Sequence, residues 1–380
     1  QLPNGSIVKA ARAIYGLKQS AMEWYRELKG TILDERWSVS HLDACLYVMR
    51  SEDGTIAVLF QYVDDIALTG DFDVEIKRMK NNLLAKYEGR DLGTPDKLVG
   101  VAINRDGAGI TLDQRFYAES SVREGIGSTE VWSTSSPLNP GMNLTPRRTD
   151  EEELDQRYRP YRTILGKHMF LAGMTQPDLS NSVRELGRHA ASLCNRHWKG
   201  LQHVLQYIAA TMKVGIRCPA GGEIDNGGLI MYGDSDWGNG TASRRSLTGY
   251  PILLNEAPIA WKSMMRGTVT TSSSEAEWTA MVQGMRHAIF LRGILGELGI
   301  PQGFTNWYGD NRGAIQAAIT EGFYGRTRHV DIKLKCTREY VNQGFFAVKY
   351  IPTALQLADI LTKRLRKKQV EDFVDTVLNR

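Results

Sequence analysis

The chain has 380 residues, with 47 Lys and Arg against 43 Asp and Glu, a formal net charge of +4, and 42% hydrophobic residues. That length suffices for two or three packed domains, and no stretch has the unbroken apolar run that crosses a bilayer, so a membrane partner is excluded. Four scattered cysteines without CxxC spacing exclude a zinc framework and a disulfide scaffold and imply an intracellular, reducing setting, while the small charge excess does not by itself announce a nucleic-acid binder.

The first residue is Gln1, and the following NGSIVKA has no apolar core of signal-peptide length; the chain reads as cut from something longer. Residues 1–109 alternate short β-rich runs with one amphipathic helix predicted over 74–86. Among them, FQYVDDIALTG (60–70) places two adjacent carboxylates, Asp64 and Asp65, inside what reads as a buried hairpin. At about 4 Å and an effective dielectric near 20 such a pair repels by roughly 4 kcal/mol, a cost that bound divalent metal removes. An ordinary Asp-containing turn is the competing reading.

Residues 110–148 are rich in turn formers, and SSPLNPGMNLTP (135–146) has the composition of a linker, which puts a boundary near Pro146. EEELDQRY (151–158) is predicted to open a helical region. Over 149–225, LGKHMFLAGM, VRELGRHAASL and WKGLQHVLQYIAATM carry apolar residues at spacings of three and four, the pattern of a helical bundle. His189, His197 and His203 lie in it without an i, i+4 pairing backed by an acid, so they are read as structural.

After Gly221, Gly222, Gly227 and Gly228, residues 226–380 read strand, strand, strand, helix, strand, helix, helix, strand, helix, the element order of an RNase H-like α/β fold. The strands are predicted at LIMYGDSDW, SLTGYPILL, PIAWKSM, NWYGDN and FFAVKYI. Four separated segments each set an acid where a strand ends or a helix begins: Asp234, Glu275 opening the long helix, Asp310, and Asp359 starting the last helix. Strand ends on one side of a sheet converge, so these acids can share a pocket. Ser274 and Glu277 form an S-x-x-E capping box, which accounts for Glu277 and leaves Glu275 for metal. Asp236, two residues after Asp234, would face the same side of a strand and stays an alternative.

Several stretches together resemble the Pol polyprotein of copia-type long-terminal-repeat retrotransposons. KAARAIYGLKQSAMEWYREL (9–28) is similar to that family's segment before its YxDD hairpin, and YEGRDLGTPDKLVGVAI (87–103) and YRTILGKHMFLAGMTQPDL (161–179) are similar to two later stretches, with Gln176 where the family usually has arginine. GDSDW, TSSSEAEW, YGDN, RHVDI and QLADILTK extend the resemblance nearly to the C-terminus. It implies the C-terminal part of a reverse transcriptase palm over 1–109, a palm/thumb junction over 110–148, a helical thumb or connection over 149–225, and an RNase H domain from 226.

The resemblance further implies two-metal hydrolysis of RNA in RNA–DNA hybrids, with two Mg²⁺ or Mn²⁺ ions held by Asp234, Glu275, Asp310 and Asp359, and with Asp234 taken over Asp236 on the family pattern. The family's third polymerase aspartate lies on an earlier strand that is absent here, so Asp64 and Asp65 supply part of a polymerase site and primer extension by these residues alone is not expected. Arg326, Arg328, Lys333 and Lys335 are expected to track phosphates, and His329 matches a family histidine without a firm role. Expected partners are RNA–DNA hybrid and template–primer; the expected location is the cytoplasm, in the parent element's virus-like particle, or the nucleus. The alternatives are a catalytically inactive or domesticated nucleic-acid-binding relic, or a part of a full-length active reverse transcriptase.

Overall fold

The computed structural model describes residues 16–126, 134–155, 160–221, 228–237, 245–267, 272–320 and 328–378, apart from the side chains of 328–331. Contacts divide the chain into two compact units, residues 1–94 with 290–301, and residues 95–289 with 302–380.

In the first unit, helix α1 (Lys18–Asp34) buries Leu28, Thr31 and Ile32, three residues at the three- and four-residue spacing of one helix face. An antiparallel sheet comes next in the order β1 (Ser38–Val39), β2 (Leu46–Arg50), β3 (Ile56–Tyr62) and β4 (Asp65–Gly70). Along β3, Ala57, Leu59 and Gln61 are buried and their neighbours are not, the alternation of a half-buried strand. Helix α2, predicted over 74–86, is found at Asp73–Lys86 and buries Glu75, Met79 and Leu83 at four-residue steps. Glu75 is tolerated in that core because Trp37 Nε1 donates to it at 2.7 Å and the Arg78 guanidinium pairs with it at 2.7 Å.

The second unit contains two sheets. The first runs β5 (Lys97–Leu98), β6 (Val101–Asp106), β7 (Gly109–Asp113) and β8 (Ile216–Pro219), all antiparallel, so strands far apart in sequence are neighbours. Between β7 and β8 lie α3 (Arg115–Ile126), α4 (Tyr161–Met174), α5 (Ser180–Gly187) and α6 (Asn195–Thr211). The stretch predicted as a linker is packed instead: Leu138 and Leu144 are buried in the same core as α4 and α6. Its prolines and asparagines shape the backbone while two leucines anchor it. Nor do residues 151–155 form a helix, because their acids are engaged elsewhere: Glu151 binds Arg196 and the Arg148 backbone N–H, and Leu154 N donates to Leu193 O at 3.0 Å.

The bundle histidines make structural bonds. His197 Nδ1 accepts from the Cys194 backbone N–H at 3.1 Å, its Nε2 lies 3.0 Å from Thr145 O, and its ring stacks on His189. Asp178 is wholly buried at the start of α5, bound by Tyr207 Oη at 2.6 Å, and burial pushes its carboxyl up to about 6. An unfolded Asp titrates near 3.9. The native state therefore holds a proton between about 4 and 6, and the cost of ionising Asp178 is fully present above that window and gone below it. Wild type is expected to gain about 2 kcal/mol relative to Asp178→Asn as pH falls from 8 to 4, measured by paired urea unfolding curves.

The second sheet carries the fold expected from the strand order of residues 226–380. β9 (Leu229–Tyr232) and β10 (Asp234–Asp236) are successive segments of one strand line, broken at Gly233, and both pair with β11 (Leu247–Leu254), which pairs on its other side with β12 (Ala257–Met265). Helix α7 (Ser273–Glu297) then leads to β13 (Thr305–Gly309), parallel to β9. After α8 (Arg312–Ile319) and α9 (Arg328–Asn342), β14 (Phe346–Tyr350) adds in parallel to β13. The result is an α/β layer in which three antiparallel and two parallel pairings share one sheet. A short 3-10 helix (Leu357–Leu361) and α10 (Lys367–Val377) close the unit.

Candidate metal centre

Each of the two central acids comes directly after a glycine, in Gly233-Asp234 and Gly309-Asp310. The spacing has a packing cause: a Cβ at Gly233 would come 2.8 Å from Trp307 Cζ2, and one at Gly309 would strike the same fully buried indole. Trp307 thus fills the space beneath both strand ends, and the missing side chains let the backbone before each aspartate lie against it. Gly233 N donates to Tyr308 O at 3.0 Å, joining the two ends. Gly309→Ala is expected to cost about 1–3 kcal/mol of stability, the cost of overpacking a filled core, and to weaken divalent-ion affinity together with it; chemical denaturation and calorimetry check the two effects.

The third acid arrives on the segment after β14. Ile351 N donates to Gly309 O at 2.9 Å, Thr353 Oγ1 donates to Asp310 Oδ2 at 2.8 Å, and Gln356 Nε2 donates to Gly233 O at 3.0 Å. These bonds dock the segment on both strand ends. Gly249, opposite Asp234 in the β10–β11 register, leaves room for it: a Cβ there would lie 2.7 Å from Leu361 Cβ and Thr362 Cγ2. Asp359 sits in the 3-10 helix and not at the start of the last helix as predicted, since α10 begins only at Lys367.

Asp234, Asp310 and Asp359 thereby each bring one carboxylate oxygen within 4.8 Å of the others, with Asp234 and Asp359 buried and Asp310 half-buried. Burial, with Asp234 beside it, pushes Asp359 up to about 6. Thr362 Oγ1 donates to Asp234 Oδ2, and Lys363 Nζ lies 2.7 Å from Asp359 Oδ1 and 3.3 Å from Asp234 Oδ1. Burial would lower the Lys363 ammonium, but Asp234 and Asp359 outweigh it and hold the pKa above its usual value. The donor set is hard oxygen, three carboxylates from separate elements, which fits Mg²⁺ or Mn²⁺.

The helix acid differs from the expectation. Ser272, not Ser274, caps α7: its Oγ accepts from the Glu275 backbone N–H at 3.1 Å. The capping box is therefore shifted by two residues, so that Glu275 occupies its third helical position. The Glu275 carboxylate lies 3.4 Å from Lys333 Nζ, and the buried Arg266 guanidinium also acts on it. Glu277 instead is buried facing the aspartates: burial first, then Asp234 and Asp310, push its carboxyl well above the usual range. Glu275 is the structural acid and Glu277 the one beside the cluster. The signal available in the sequence was the doubled spacing, since Ser272 to Glu275 and Ser274 to Glu277 both satisfy the motif.

Of the other predicted residues, Asp236, half-exposed on β10, is not in the group of three. Lys333 lies 3.4 Å from Glu275, whereas Lys335 is exposed on α9. Arg326 lies outside the described residues; Arg328 and His329 contribute backbone to α9, with side chains outside the description. Asp64, on the two-residue turn Val63–Asp64, and Asp65, the first residue of β4, are both exposed and not buried within the hairpin. In water-like dielectric their repulsion falls to about 1 kcal/mol, so their proximity does not require a cation. Val63 in this turn has φ +55°, and Trp24 Nε1 donates to Val63 O at 2.7 Å, which ties α1 to the turn.

The family profile described as "Reverse transcriptase (RNA-dependent DNA polymerase)" matches residues 3–140. Beyond it, the chain is 28% identical to the retrovirus-related Pol polyprotein from transposon TNT 1-94 of Nicotiana tabacum over 96% of its own length, and 30% identical to that from transposon RE2 of Arabidopsis thaliana over 97%. Over nearly its whole length the chain is similar to copia-type retrotransposon Pol polyproteins. It spans about a quarter of the length of these relatives, 28% and 25% respectively. Among solved structures, a foamy viral protease-reverse transcriptase in complex with dsDNA overlays with a TM-score of 0.46 at 13% identity, covering 90% of this chain and 60% of that one; the likeness to copia-type polyproteins rests on the sequence relatives. No helix among the described residues is long and apolar enough to cross a membrane.

Proposed function

We propose that the second unit hydrolyses the RNA strand of RNA–DNA hybrids, with Asp234, Glu277, Asp310 and Asp359 holding Mg²⁺ or Mn²⁺. The observation that carries this reading is the convergence of three carboxylate oxygens within 4.8 Å from three separate elements. Bound divalent ions would supply charge neutralisation at the scissile phosphate, an activated water and stabilisation of the leaving 3′ oxygen. The protein's own residues do the positioning. Thr353 and Thr362 orient Asp310 and Asp234 by donating hydrogen bonds to them; burial first, and the neighbouring acids after it, raise the affinity of Asp359 and Glu277 for protons, and that crowding of negative charge also favours a cation. No protein nucleophile is needed.

In the same reading, the sheet bearing Asp64 and Asp65 is the C-terminal part of a polymerase palm, the helices of residues 161–211 form a thumb or connection, and residues from 229 onward form the nuclease domain. RNA–DNA hybrid and template–primer are its partners, with Lys335 and the arginines at 326 and 328 reaching phosphates in a salt-sensitive manner. The test is single-turnover cleavage of a labelled hybrid. Asp310→Asn is expected to lower the rate at least about a hundred-fold with the fold intact by circular dichroism, the size of loss seen when one pre-placed electrostatic group is removed. An unchanged rate would refute the assignment.

A further inference from the structure

We infer that Lys363 is an internal cation of the carboxylate cluster, one that competes with a divalent ion for the space between Asp234 and Asp359 and so sets the site's ion affinity. The inference rests on the nuclease reading and adds a residue to it. Lys363 lies four positions after Asp359, and its backbone N donates to Asp359 O at 2.8 Å, which fixes the start of the side chain beside that acid. The ammonium then reaches Asp359 Oδ1 at 2.7 Å and Asp234 Oδ1 at 3.3 Å, bridging two acids that come from different elements. Its remaining freedom is visible in exposure: the side chain keeps 35% of its surface accessible, against 3% for Asp234 and 7% for Asp359. The acids are fixed and the lysine has a path outward.

Charge counting gives the consequence. Asp234, Glu277, Asp310 and Asp359 carry four negative charges when ionised, and the ammonium offsets one of them. One divalent ion beside Lys363 leaves the cluster with one net negative charge, and a second neutralises it only by displacing the ammonium from two carboxylate oxygens that it already satisfies. Thr362 Oγ1, held on Asp234 Oδ2, leaves Oδ1 of that acid to the lysine. Lys363 is thus a positioning residue that holds Asp234 and Asp359 beside one another in the ion-free protein and yields as ions enter.

The experiment is calorimetric titration of the 380-residue chain with Mn²⁺ alone, without nucleic acid, for wild type, Lys363→Met and Lys363→Gln. Both substitutions are expected to tighten Mn²⁺ binding by about ten-fold or more, or to add a second ion per chain, and to enlarge the rise in melting temperature at saturating Mn²⁺ while lowering the ion-free melting temperature. Lys363→Gln keeps length and a donor, so it remains informative should Lys363→Met not fold. Unchanged or weaker affinity in the folded variant, with unchanged stoichiometry, overturns the inference and leaves the nuclease reading standing. If wild-type chain binds no Mn²⁺ at all, the nuclease reading fails, and the inference with it.

Discussion

Glu277→Gln lowers Mg²⁺-dependent cleavage of an RNA–DNA hybrid by at least about a hundred-fold, while Glu275→Gln leaves most of the rate. This expected result comes from where the two carboxylates sit, two residues apart and therefore about 200° apart around α7. Glu277 shares its surroundings with Asp234 and Asp310, and Ser235 N–H and Lys363 offset only part of the repulsion. Glu275 belongs to the cap of the helix and to Lys333 and Arg266. Its loss is a stability effect: removing one member of a part-buried ion pair leaves Lys333 without that partner, and the variant should melt earlier at unchanged ion affinity. Rates for both variants at saturating Mg²⁺, with unfolding curves beside them, separate the roles; equal losses of rate would contradict the assignment.

A second large effect concerns the ion-free protein, which should be stabilised either by divalent ions or by removing one of the acids. Asp359 titrates near 6 in the native state against about 3.9 unfolded. The acid is raised, so its ionisation destabilises the fold fully above about pH 6 and not at all below about pH 4. Asp359→Asn is therefore expected to raise ion-free stability by about 1–2 kcal/mol at pH 8, the lost bond to Lys363 offsetting part of the gain, and to have no such effect at pH 4. In wild type, ion at a hundred times its dissociation constant should add about 2.7 kcal/mol, and in Asp359→Asn much less. Denaturant unfolding at both pH values, with and without Mn²⁺, reads all four quantities. A variant that is less stable without ion and equally responsive to it would contradict a strained cation site.

Much of the α/β layer from residue 229 onward was legible because its signals are local. Strands β9, β11 and β12 are largely apolar runs, and Asp234 and Asp310 each come just after a run that ends in Tyr-Gly, while Asp359 sits in a short apolar turn. The helix phase was not legible: a serine run offers two caps, and only the fold decides that Ser272 is used and that Glu277, not Glu275, lies beside Asp234 and Asp310. Lys363 was hidden for another reason. It belongs to the basic run 362–369, which reads as a solvated face, and its two carboxylate partners lie four and 129 residues away. The linker reading of 135–146 failed because turn-forming composition specifies backbone shape and says nothing of burial, and Leu138 and Leu144 reach the bundle core. Asp64 and Asp65 pointed to the family of the sequence relatives, while a buried repulsion between them does not hold at two exposed positions.

The most direct measurement is digestion of an end-labelled RNA–DNA hybrid by the purified 380-residue chain, with Mg²⁺ present and with Mg²⁺ chelated. Cutting of the RNA strand alone, only with the ion, leaving 3′-hydroxyl ends and lost in Glu277→Gln, is the predicted result; no cutting by folded, Mg²⁺-loaded wild type, or cutting that survives chelation, would contradict it.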